Sequence, residues 1–147
     1  MDEPQGILDS FSKHSFHCGE DPGQGQVVKC LNNFLSAIAI AATSEAVLFG
    51  LSQGIEMKTI LDVVNVSPGR NTASMEKFPN HIMTEKYACG FTTKLLSKDL
   101  NLFFQNAKAA GTPLTLAAVL SQILKGADAA MPGSDISRIY DYIREKG

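Results

Sequence analysis

A chain of 147 residues is long enough for one domain with a sizeable core and too short for two of ordinary size. Charged residues make up 19% and apolar residues 44%, with a formal net charge of -2, which excludes a basic nucleic-acid surface and the composition of a disordered chain. Cys18, Cys30 and Cys89 are odd in number and far apart, so neither a disulfide framework nor a structural zinc site is expected, and a reducing, cytoplasmic setting is.

The acidic start, Met1-Asp2-Glu3-Pro4, lacks the basic and apolar run of a secretory signal. Ile7-Leu8 and Ser15 to Gly19 read as short extended pieces that cannot form a stable sheet alone, so residues 1–22 look like the remnant of something larger. His14, His17 and Cys18 lie close in sequence but have no second cluster, and no metal site is expected.

Gly23-Gln24-Gly25 opens a long helix running to about Gln53, closed by Gly54 where a left-handed cap is usual. Leu31, Leu35, Ile38, Ala42, Ala46 and Phe49 keep a helical spacing, while Ile40, Val47 and Leu48 make the opposite face apolar. Both faces expect cover, so the helix is central or intersubunit. Ser36, Thr43, Ser44 and Glu45 interrupt the run and argue against a membrane span, and Glu45 is expected to be hydrogen-bonded at a helix crossing.

A second helix, Met57 to Val66, ends at Ser67-Pro68-Gly69, and the polar loop Arg70-Asn71-Thr72 follows. Ala73 to Phe78 reads as a short helix, with Pro79 opening another turn or two and a break at Ala88-Cys89-Gly90. Thr92 to Ala110 is strongly amphipathic and is stopped by Gly111 and Pro113. Leu114 to Ala127 makes a further helix, and Ser134 caps a last one in which Ile136, Ile139, Tyr140 and Ile143 share a face. With no strand-like alternation of any length, residues 23–147 are expected to be all-α.

Two stretches carry chemistry. In Gly23 to Asn33, Lys29 and Asn33 fall four residues apart on one helical face, pairing a cation with a neutral amide. A lysine can pass a proton when partial burial disfavours its charged form, and an amide can fix a hydroxyl or carbonyl oxygen. In the second stretch, Phe91 to Leu100, Lys98 and Asp99 interrupt an apolar face. Spacing alone does not separate either from a solvated lysine or a surface salt-bridged turn.

The order Gly-x-Gly-x-x-x-Lys-x-x-Asn-Asn, an apolar helix holding Ser44-Glu45-Ala46, and then Lys98-Asp99-Leu100 resembles the C-terminal domain of the β-hydroxyacid dehydrogenases, across roughly residues 15 to 145. That family includes enzymes acting on 3-hydroxyisobutyrate, tartronate semialdehyde, glyoxylate and threonate. The resemblance implies an all-α bundle built around one long helix, like the C-terminal domain of 6-phosphogluconate dehydrogenase. It also implies an NAD(P)-dependent oxidoreductase of a small hydroxyacid. By the same resemblance Lys29 is the general acid/base and Asn33 orients the substrate, with Gly25 and Arg70 also on the substrate side. Lys98, Phe91 and Asp99 would line the cofactor cleft, and a homodimer would form through the long helix.

No strand-associated Gly-x-Gly-x-x-Gly occurs, so the Rossmann domain that completes such a site must come from elsewhere, in cis or in trans. NAD or NADP binding by this chain alone is therefore expected to be weak. Two readings stay open: the C-terminal portion of a dehydrogenase, or a non-enzymatic helical dimerisation module derived from one.

Overall fold

The computed structural model describes residues 14–146, so the Ile7-Leu8 piece lies outside it. Residues 14–19 carry neither helix nor strand, and among the described residues the architecture is all-α. Five α-helices succeed one another: α1 (Gln24–Ser52), α2 (Met57–Asn65), α3 (Thr93–Ala109), α4 (Thr115–Ala130) and α5 (Ile139–Lys146). A π-helix, Ala73–Ile82, lies between α2 and α3, and a 3₁₀ turn, Ile136–Arg138, leads into α5.

Helix α1 is the axis, packed by α2, the π-helix, α3, α4 and α5. It ends where Gly54, at a φ of 79°, lets the amide of Ile55 reach back to the Gly50 carbonyl at 3.1 Å and that of Gly54 to Leu51 at 2.9 Å. Gly50 itself allows α2 to approach, since a Cβ there would fall 2.5 Å from Ile60 Cδ1. Ile40, Ala37 and Val47 are buried on the covered side.

Of the face formed by Leu31, Leu35, Ile38, Ala42, Ala46 and Phe49, only Ile38 is part-covered within the chain, and Leu35 and Phe49 are 58% and 69% exposed, which leaves the intersubunit alternative for this side. Glu45 departs from its expected structural role. It is exposed, with no hydrogen bond among the described residues, at the edge of an apolar groove that α1 forms with α4 through Ile38, Ala42, Leu116 and Val119. By length and composition α1 could cross a membrane, but its covered side is packed by the rest of the bundle, as the core helix of a water-exposed fold would be.

The segment around Pro79 differs most from its expected form. In place of two short helices broken at the proline, one π-helix runs through it. In a helix with i to i+5 bonding, Pro79 leaves the Ser74 carbonyl without its backbone donor, because proline has no N–H. Asn65 fills the vacancy, its Nδ2 donating to that carbonyl at 3.0 Å. The start is held by Asn71, whose Oδ1 accepts from the amides of Ala73 and Ser74 at 2.9 and 3.1 Å, while Ser74 Oγ accepts from the Asn71 amide at 3.0 Å.

The cap before α5 sits one residue later than expected. Asp135, not Ser134, accepts from the Ser137 amide at 3.0 Å, while the Ser134 carbonyl accepts from the Thr93 amide at 2.9 Å. The core closes on Phe78, fully buried and edge-on to Tyr140 with ring centroids 5.6 Å apart. Phe78→Ala should lower stability by about 3–5 kcal/mol, seen as a reduced urea midpoint at an unchanged m-value.

Candidate functional site

Residues 25–29 are exposed, so the start of α1 stands clear of the helices that cover its middle. A Cβ on Gly25 would meet nothing within 4 Å, and the chain's own packing does not require glycine there. Lys29 is exposed and forms no hydrogen bond or ion pair among the described residues. The partial burial expected of a proton-passing lysine is not supplied by this chain.

One turn further, Asn33 Nδ2 donates to Asp99 Oδ2 at 2.7 Å, joining α1 to α3. A carboxylate only accepts, so it fixes which end of the amide faces it and leaves Asn33 Oδ1 free as an acceptor. Phe34 then stacks on Phe103, with ring centroids 4.5 Å apart and planes 6° from parallel. These two contacts set the height of α3 against α1. Lys98, next to Asp99, is exposed and without a partner among the described residues.

The other predicted residues stand apart from this pair. Phe91 is half-buried against the core, and its carbonyl accepts from the Ile136 amide at 2.9 Å, which pins the segment leading into α3. Arg70 is exposed and its guanidinium has no partner among the described residues. Burial and the neighbouring Asp135 carboxylate push the Cys89 thiol up to about 11, which favours its protonated form at neutral pH.

A groove of about 450 Å³ lies between α1 and the π-helix, with Asn32, Ser36, Asn71, Thr72, Glu76 and Lys77 on its walls. Lys77 is half-buried and donates from Nζ to Ser36 Oγ at 2.9 Å. Burial pushes its pKa below the ordinary 10.5, against the opposing pull of Cys89 and Glu76. Sequence reasoning passed over Ser36, Asn71 and Lys77. The available signals were a lysine set within the stripe Ala73, Ser74, Phe78 and Ile82, and a serine seven residues after Lys29.

A lowered native pKa means that the unfolded chain holds the Lys77 proton more tightly. Stability therefore rises with pH between that lowered value and 10.5, and below this window the penalty is constant. Lys77→Met should raise the melting temperature at neutral pH, and the difference from the parent should shrink as pH approaches 10.5. Paired thermal melts across that range measure it.

A family model described as the NAD-binding domain of NADP-dependent 3-hydroxyisobutyrate dehydrogenase matches residues 23–143. The 3-hydroxyisobutyrate dehydrogenase of Pseudomonas aeruginosa is 36% identical over 149 residues, covering 95% of this chain and 50% of that one. The 2-(hydroxymethyl)glutarate dehydrogenase of Eubacterium barkeri is 34% identical over 122 residues, covering 83% and 40%. Among solved structures, the 3-hydroxyisobutyrate dehydrogenase of Salmonella typhimurium superposes with a TM-score of 0.82 at 28% identity, over 93% of this chain and 48% of its own. The Mycobacterium tuberculosis enzyme, solved with L-serine, gives 0.85 at 24% identity over 97% and 50%, a likeness of fold. The chain spans about half the length of the curated relatives it matches.

Proposed function

The chain belongs to the 3-hydroxyisobutyrate dehydrogenase family, and we propose that it is the C-terminal portion of an NAD(P)-dependent oxidoreductase acting on a small hydroxyacid, with Lys29 as general acid/base. The observation that carries this reading is the Asn33–Asp99 bond, which orients an amide one turn from an unpaired lysine. In this reading residues 1–22 are the remnant of an interdomain segment or of the end of a Rossmann domain, and that domain reaches the site in cis or in trans. Closing over the exposed start of α1, that domain would give Lys29 the burial this chain withholds.

Asn33 Oδ1 accepts a hydrogen bond from the substrate hydroxyl and holds it toward Lys29. Neutral Lys29 takes the hydroxyl proton during oxidation, and its ammonium returns a proton to the carbonyl oxygen during reduction. Bound nicotinamide supplies the hydride acceptor or donor. The donor set fits such a group at Lys98, an exposed ammonium with no protein acceptor beside a fixed carboxylate. Asp99 acts through Asn33, and Phe91 acts through the segment it anchors, since its ring packs against the core. Gly25 leaves the backbone accessible to substrate, and Arg70 offers a fork for a carboxylate.

The uncovered stripe on α1 favours a homodimer, because Leu35, Ala46 and Phe49 with the Leu116 and Val119 edge present apolar surface along one side. The same stripe supports a second reading, a helical dimerisation module without catalysis. Turnover separates the two. With the Rossmann domain of the Pseudomonas aeruginosa relative supplied, nicotinamide absorbance should report hydroxyacid oxidation, and Lys29→Ala should cut kcat by about 10²–10⁴-fold with an unchanged circular dichroism spectrum. Unaltered turnover in that variant removes Lys29 from the chemistry. Phe49→Lys should move the chain from dimer to monomer in sedimentation equilibrium, under either reading.

A further inference from the structure

We propose that the groove between α1 and the π-helix is a distal substrate subsite, taking the second carboxylate of a hydroxydicarboxylic acid with Lys77 as its cation. The assignment rests on Lys29 marking the reacting end of the substrate. Lys29, Asn33 and Ser36 follow one another at i, i+4 and i+7, so one face of α1 leads from the reacting end into the groove. Seven residues of helix rise about 10 Å, and the two lysine side chains, rooted at opposite ends of that interval, narrow it. A chain of about five carbons suits such a span.

Charge selects the ligand. A cation taken out of water is ordinarily paired with an anion, yet half-buried Lys77 has only the neutral hydroxyl of Ser36 and no carboxylate within ion-pair distance among the described residues. Lys58 shows the contrast: exposed, it is paired with Asp62 at 2.6 Å. Glu76 stands at the exposed rim and makes no ion pair with Lys77. An incoming carboxylate would give the ammonium the partner it lacks.

The walls also distinguish fixed from available groups. Asn71 is fully engaged, binding Thr43, the Gly69 carbonyl and the amides of Ala73 and Ser74, and so forms a rigid side. The Asn32 amide and the Thr72 hydroxyl have no partners among the described residues, and both line the same space. They are donors for the carboxylate oxygen that Lys77 does not take. A monocarboxylic hydroxyacid with an apolar branch would offer these three groups no anionic acceptor.

The test uses the isotope-labelled chain, titrated by NMR with glutarate and, in parallel, with butyrate. Glutarate should shift the backbone amides of Ser36, Thr72 and Lys77, with butyrate about tenfold weaker there. Lys77→Gln should lose about tenfold of the glutarate affinity, while Lys77→Arg should retain the preference for the diacid. The amide spectrum of each variant reports whether it is folded. Equal binding of the two acids, glutarate shifts confined to other surfaces, or unchanged affinity in folded Lys77→Gln would overturn the subsite. Turnover by the reconstituted enzyme reads out Lys29 separately, so either assignment can fail while the other stands.

Discussion

The hydrogen bond from Asn33 to Asp99 is the constraint on which the functional end of this domain depends. It ties the start of a long helix, otherwise exposed, to the one helix that carries the second lysine. An amide donating to a carboxylate is directional, and the Phe34–Phe103 stack beside it resists sliding along the helix axis. Together they fix the spacing of Lys29 and Lys98, although neither lysine forms a hydrogen bond or ion pair among the described residues. The two cations are held in place by neighbours rather than by partners of their own, which leaves their charges available.

That arrangement sets the two lysines of this end apart from Lys77 in what their charges cost. A functional lysine without a counter-ion is costly where it is buried and nearly free where it is exposed. Lys29 and Lys98 are exposed, so neither imposes a cost of burial on this fold. Lys77 is different, because the fold half-buries it with the Ser36 hydroxyl as its one hydrogen-bond partner among the described residues. The penalty it carries is of the kind that functional sites retain.

Much of the fold was legible from residue order. The helix boundaries followed from Gly54, Gly111 and Pro113, and the helix Thr93–Ala109 was legible from Leu95, Leu96, Leu102, Phe103, Ala107 and Ala110, although of these only Leu96 and Ala107 are buried, with Leu100 beside them. The Lys29–Asn33 pair was visible from its spacing, but its anchor was not, because Asp99 lies 66 residues away and contact across that separation has no local signature. The apolar stripe through Leu35 and Phe49 was legible as apolar, but whether this chain or a second one covers it was not, since periodicity says which residues share a face and not what meets it. The π-helix escaped altogether. Proline ordinarily marks an end, and only the remote Asn65 amide makes continuation through it possible.

That last feature sets the direction of a side chain as well as the course of the backbone. A helical segment that takes up one residue more per turn rotates everything after it relative to the ordinary winding, and Lys77 lies inside the rewound stretch. Were a residue with an N–H to stand at position 79, it could donate to the Met75 carbonyl four residues back, free of the ring that now blocks that bond, and the tighter α winding would come within reach. Ser36 would then lose its neighbour. A missing hydrogen on one ring thus acts as an angular setting, and relatives that differ at that position would be expected to aim different chemistry into the same space.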